Sequence, residues 1–446
     1  MSKRKIPFIT TNLITDIQLS FLLLPFWWVI GIEQFIWPVL TLIMTIKLFL
    51  YKSKQKQNNK ITLSLIHILI IVFLGLFIIS GFFIVESYRY ISFIRNFVVY
   101  LSAFLIFFIT TSIVKDKKDI LKIIKSLVLL IFFVSLLGIF AQFNILNVHY
   151  KSPMQFIFPE FIKNTRMGQH IISRSFHINQ WFHLIKRWIR RPGVFFYNAN
   201  YLAAALLILI PLNILLLKHS KSRNKNFWYF SLVISLICFI LTLSRGAFAG
   251  LLMGIPFFLF LKMFSKRKHR NNYFLPVTVN CVVIFIVLIS ILFQSTIVQL
   301  SSRYLHARDP SDRIKIYTDT LNSWKESPFF GWGAQRDIEA KYQPTGYHSM
   351  GSHSTYLGIL YQHGIFALII YLLIIFYLFK KIFNLVKTES SPFLKNFGIC
   401  AGLALFMNLI HSAVTGMDLD VTTFHLIWLN WGFIIAASRL SEKRVK

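Results

Sequence analysis

Stretches of about 20 mostly apolar residues follow one another along the whole chain, and each is the length a helix needs to cross a bilayer core of about 30 Å. Backbone inside a bilayer must satisfy its own hydrogen bonds, so such runs are read as spanning helices. They fall at 13–31, 34–51, 62–85, 91–113, 126–146, 199–217, 227–243, 247–264, 273–297, 355–378, 396–416 and 421–438, which makes twelve. The first begins near Leu13 and many others follow it, so it is expected to remain as a span and not to be cleaved as a leader. A tight turn at Ser244-Arg245-Gly246 separates the seventh and eighth. The expected fold is all-α and polytopic, with about 12 transmembrane helices.

Charge gives the orientation. With the N-terminus in the cytoplasm, the inside segments hold thirty Lys and Arg, whereas the short outside connections hold only Arg89, Arg95 and Arg245. This is a strong positive-inside bias, so both termini are expected to be cytoplasmic. The net charge of +32 therefore reads as membrane topology and not as a nucleic-acid face. Only 14% of residues are charged and 56% are hydrophobic, too few charges to coat a soluble domain of this size. Cys238, Cys281 and Cys400 lie in apolar runs without metal-ligand spacing and read as small core residues.

The chain then divides into spans 1–5 (1–146), a first exoplasmic loop (147–198), spans 6–9 (199–297), a second large exoplasmic loop (298–354), and spans 10–12 with a cytoplasmic tail (355–446). Loops of this length without linker composition usually carry function. In the first loop eight basic residues face one acid, Glu160. Within it, Trp181, Leu184, Ile185 and Trp188 recur at helical spacing opposite Lys and Arg, which predicts an interfacial amphipathic helix over 181–191. The run Arg191-Pro-Gly-Val-Phe-Phe-Tyr-Asn198-Ala-Asn200 leads into the sixth span. Pro192 and Gly193 turn the chain at the surface, and Asn198 and Asn200 are placed to cap the helix. Arg191 is placed to face a substrate phosphate, or simply to meet lipid headgroups.

Arg245 stands at the outer ends of two spans, where an arginine either lines a cavity or snorkels. In the second loop, Asp312-Arg313 opens a helical stretch with Ile316, Thr320 and Trp324 on one face, ended by Pro328, Gly331 and Gly333. Asp309, Asp312 and Asp337 are expected to position arginines or cap helices. The loop closes on His348 and on His353-Ser354, just before the tenth span, so His353 sits at the outer N-terminal end of a helix, where an imidazole can take a proton.

Taken in order, the motifs are Arg-Pro-Gly…Asn-x-Asn, Ser-Arg-Gly, Arg313…Trp324…Pro328-Phe-Phe-Gly-Trp-Gly, and His353-Ser354 with Gly364 ten residues beyond Ser354. This order on twelve spans resembles the O-antigen ligase and surface-polysaccharide polymerase superfamily. The ligase pattern ends in Gly, Thr or Tyr three residues after Gly364, where this chain has Ala367. The resemblance implies metal-independent, inverting transfer of a glycan from an undecaprenyl-diphosphate carrier to an acceptor hydroxyl, without a cofactor. The acceptor would be a second lipid-linked glycan or a lipid core. By the same resemblance Arg245 and Arg313 contact the diphosphate and His353 activates the acceptor. His348, Asn200 and Ser354 are secondary candidates, and no metal ligands are expected. Expected partners are the lipid-linked donor, the glycan or lipid-core acceptor, membrane lipids and a chain-length regulator, with no nucleic acid. The expected location is the cytoplasmic membrane with the site facing outward. A transporter or flippase of lipid-linked oligosaccharide also has twelve spans, and His67 and His411, which lie within spans, would suit one.

Overall fold

The structure is a computed structural model describing residues 13–54, 64–164, 166–182, 187–266, 310–334, 337–339, 347–349, 353–389, 391–417 and 420–445. Helices α1 (Leu13–Leu22) and α2 (Leu24–Ile30) meet at 50°. Pro25, in the first turn of α2, donates no amide and its ring crowds the carbonyl four residues earlier, which accounts for the bend. Then come α3 (Ile36–Lys54), α4 (Leu65–Ser80), α5 (Tyr90–Ile113) and α6 (Lys117–Gln142). The last of these begins nine residues before the expected span, because Asp116 caps it through the Lys118 and Asp119 amides at 2.7 and 3.0 Å.

After the first loop come α10 (Ala199–His219), α11 (Ser222–Leu241) and α12 (Arg245–Lys266). The chain closes with α13 (Pro310–Trp324), α14 (Thr355–Thr388), α15 (Pro392–Ser412) and α16 (Val421–Val445). Among the described residues ten helices are long and apolar enough to cross a membrane, or eleven if α1 and α2 are one span. The expected span 273–297 lies outside the described residues, as do Cys281 and Asp309. The protein is an all-α polytopic membrane protein; the strands in the described residues form three two-stranded hairpins.

Helix α16 is the centre of the bundle, with 94% of its spanning stretch buried, followed by α10 at 83% and α15 at 78%. By contrast, α3 and α11 are each 28% buried and present Leu42, Ile46, Phe49, Phe230 and Ile240 outward, as helices against lipid do. Helix α12 packs on α15, α10 on α15, α4 on α14, and α5 on α16. One end of this bundle carries basic side chains on neighbouring helix ends, such as Lys218 on Asn396, Lys381 on Glu442 and Arg439 on the Val114 carbonyl. The opposite end carries both loops.

In the first loop, β1 (His149–Lys151) pairs with β2 (Ser173–Ser175) around short helices α7 (Met154–Ile157), α8 (Glu160–Lys163) and α9 (Arg166–Ile172). The described residues of the stretch 181–191, where an interfacial helix is expected, are strands. Here β3 (His177–Phe182) and β4 (Arg187–Pro192) form an antiparallel hairpin with Trp181 opposite Trp188. The apolar period of 181–188 fits a helix. However, the flanking β-branched and aromatic residues Ile178, Trp188 and Ile189 suit strands, and pairing with 177–182 prevails. Arg174 ties this loop to the α2–α3 turn with a bidentate bond to Glu33, at 2.9 and 2.8 Å.

Candidate functional site

Arg191 lies near the end of the β4 strand and is 9% exposed. The turn after it is held by the Gly193 and Val194 amides, both donating to the Phe176 carbonyl. Asn198 caps α10 by accepting the Asn200 amide at 2.8 Å. Asn200, in the first turn of that helix, turns its side chain to Arg191 instead, and its Oδ1 accepts from Arg191 Nη2 at 2.9 Å. Arg191 Nε donates to the Thr242 carbonyl at 2.6 Å. That carbonyl lies in the α11–α12 turn, where Leu243 adopts φ +49, a left-handed conformation costly for a branched residue and common at functional turns. Two residues later Arg245 begins α12, exposed at the same end. Burial above all, and then the nearby Arg245 charge, pull the Arg191 guanidinium from its usual range to about 10. The two cations thus lie within electrostatic reach of each other, Arg191 near the end of β4 and Arg245 at the start of α12.

The second loop is locked to α14. Helix α14 is broken at Gly364, with φ +78, and the break leaves backbone groups on its own axis without helical partners. The Pro328–Gly333 segment supplies them: Trp332 donates to Tyr361 O at 3.0 Å, Gly333 to Gln362 O at 2.7 Å, and Ile365 to Pro328 O at 2.9 Å. Irregular backbone at membrane depth is tolerated when protein covers it in this way. The approach requires glycine on both sides. A methyl on Gly364 would run into the Phe329 carbonyl, and one on Gly331 (φ +68) would meet Gln362 C at 2.5 Å. On the far side Gly333 is wedged against Ser80 and Ile84 at the end of α4.

Residues 230–372 match the protein family described as O-antigen ligase. The match covers that part of the chain and marks it as similar to O-antigen ligases. No curated protein matches it. The matched segment contains Arg245, Arg313, His353 and Gly364, whereas Arg191 and Asn200 precede it.

In this matched segment Ser354 caps α14 through the Leu357 amide at 3.3 Å. His353, exposed and at φ +65, offers its carbonyl to the Tyr317 hydroxyl at 3.4 Å. Tyr317 lies one turn after Arg313 on α13, where Ile316 and Thr320 are buried as the sequence period required. The α14 start is bound to the 413–417 turn, since Thr355 Oγ1 donates to Thr415 O at 3.0 Å and accepts the Met417 amide at 3.1 Å. The same turn accepts the Tyr201 hydroxyl on Gly416 O at 2.8 Å. His411, just before it, bonds the Asn200 carbonyl. Arg191 and Asn200 therefore meet directly, Arg245 lies within electrostatic reach of Arg191, and the start of α14 at Ser354 is tied to the same region through this turn.

His348 lies on β6 (Tyr347–Ser349), paired with β5 (Asp337–Glu339), five residues before His353. Thr242, His411, Tyr317 and Asp420 were not legible as site residues. Asp420 accepts the Tyr197 amide at 2.6 Å and the Thr423 amide at 2.7 Å, fixing the 192–198 turn to α16. Its only sequence signal is an acid placed just before an apolar run. Among the described residues no three His, Cys, Asp or Glu stand together as a metal site.

Proposed function

We propose that this protein is a membrane glycosyltransferase of the O-antigen ligase or polymerase type, acting at the outer face of the cytoplasmic membrane. It joins a glycan carried on undecaprenyl diphosphate to an acceptor hydroxyl. The observation that supports this reading is the burial of Arg191, held by Asn200 and the Thr242 carbonyl three residues before Arg245, with its guanidinium pulled down by burial and by the Arg245 charge. Like charges gathered in a partly buried place suit a polyanion, and guanidinium forks fit phosphate oxygens in pairs.

The steps follow from these groups. The acceptor oxygen attacks the anomeric carbon from the face opposite the diphosphate, and its proton passes to His353. The bond from that carbon to the diphosphate oxygen breaks, inverting the centre and releasing undecaprenyl diphosphate. Arg191, Arg245 and Arg313 stabilise the charge that grows on the leaving oxygen, so no metal is required by this scheme. The positive-inside charge bias of the sequence supports an outward position for these residues. A lipid-core acceptor makes the protein a ligase; a second lipid-linked repeat makes it a polymerase, for which a chain-length regulator is a partner.

Deleting the gene and profiling surface glycan tests this. Polymer held on the lipid carrier is the result expected of a ligase, and single repeats that of a polymerase. Complementation with His353→Ala should leave the defect in place while the protein inserts at normal levels. Restoration of wild-type glycan by that variant would remove the base from the scheme.

A further inference from the structure

His411, near the outer end of α15, is 0% exposed and has no part in the scheme above. Its Nε2 stands 3.1 Å from the Asn200 carbonyl oxygen. A carbonyl only accepts, so Nε2 carries the hydrogen of that bond. On the other edge of the ring, Nδ1 lies against the first turn of α12: a Cβ added to Gly246 would sit 2.8 Å from it and would also collide with Val414. One ring therefore touches two neighbours that matter. The first, Asn200, grips Arg191 with its side chain. The second, Gly246, adjoins Arg245 in the chain.

We propose that His411 is a positioning residue that sets the spacing of Arg191 and Arg245, and with it the affinity for a lipid diphosphate. This rests on the diphosphate reading given above. The ring acts as a rigid spacer between the starts of α10 and α12, donating on one edge and packing on a missing Cβ on the other. Glycine at 246 is what admits the ring so close. A flexible or apolar side chain would fill the volume without fixing the Asn200 end. A glutamine can return an amide N–H to about the same place as Nε2.

The test uses purified full-length protein and two lipids, undecaprenyl diphosphate and undecaprenol, which lacks the diphosphate. Wild type should prefer the first. His411→Leu should lose about tenfold of the diphosphate affinity, and the undecaprenol affinity and melting temperature should stay as they are. His411→Gln should recover most of the loss. Gly246→Ala, which drives a methyl into the ring, should repeat the selective loss and decides the matter if His411→Leu does not accumulate.

Full diphosphate affinity in both His411→Leu and Gly246→Ala would overturn the positioning role. So would an equal loss for both lipids, the mark of a general structural defect. The parent reading is separable. If wild type binds the two lipids alike, the diphosphate site falls and this role falls with it. If Arg191→Ala loses the diphosphate while the His411 and Gly246 variants keep it, only the role of His411 falls.

Discussion

Two buried arginines stand at the same end of the bundle and are handled in opposite ways. Arg174, 2% exposed, gives both forks to the Glu33 carboxylate and lays its guanidinium 5.5 Å from the Trp28 ring centre. Its charge is cancelled where it stands, and the pair fastens the first loop to the α2–α3 turn. Arg191 gives hydrogen bonds to an amide oxygen and a backbone carbonyl, and it feels a second guanidinium from Arg245. Burial of a charge beside its opposite builds structure, whereas burial beside its like stores an unfavourable field that an anion relieves. On the proposed reading, the contrast separates an anchoring arginine from one that serves the donor.

The largest effect should come from breaking the anchor. Arg174→Ala strands the Glu33 carboxylate in the interior and should cost about 3–5 kcal/mol, seen as loss of folded protein in detergent; a fully stable variant would mean that the pair is not buried in the membrane-bound protein. Next, Arg191→Ala should reduce transfer by about 10²–10³, the scale of removing one donor to a developing oxyanion, while its melting temperature falls far less than that of Arg174→Ala. If the two variants swapped behaviour, the contrast between the arginines would be reversed. A smaller change is expected of Gly331→Ala, which forces a left-handed backbone and crowds Gln362. About 1–3 kcal/mol should be lost, with melting as the measure, and an unchanged melting point would argue that the loop does not seal the α14 break. The smallest is Ser354→Ala, where loss of the cap on α14 should cost about 1 kcal/mol and little transfer activity; a collapse of activity at unchanged stability would give Ser354 a chemical role.

The spanning helices were legible because each is a 20-residue apolar run, and composition alone decides such segments. Their ends were less so: α6 runs on through a charged first turn because Asp116 caps it. Within the hairpin, the stretch 181–191 reads as a helix in sequence, since Trp181, Leu184, Ile185 and Trp188 satisfy a helical period and the competing partner strand is set by tertiary pairing. At the site, Arg245 and His353 stand out as a cation and an imidazole at helix ends, and Arg191 as a cation just before a Pro-Gly turn. The groups that hold them were hidden for a different reason. The Thr242 acceptor is a backbone carbonyl, and His411 matters only because α15 brings it between the starts of α10 and α12. Gly364 was visible as a spacing, but its partner at Phe329 is set by the way the second loop folds back.

The central claim is that Arg191 and Arg245 serve the lipid-linked donor. Initial rates of glycan transfer by purified protein, with donor and acceptor varied separately, test it most directly. Arg191→Ala and Arg245→Ala should each lower kcat/KM for the donor, with Lys replacements recovering part of it and the acceptor KM unmoved. Unaltered donor kinetics in both alanine variants, or a defect confined to the acceptor, would contradict the account.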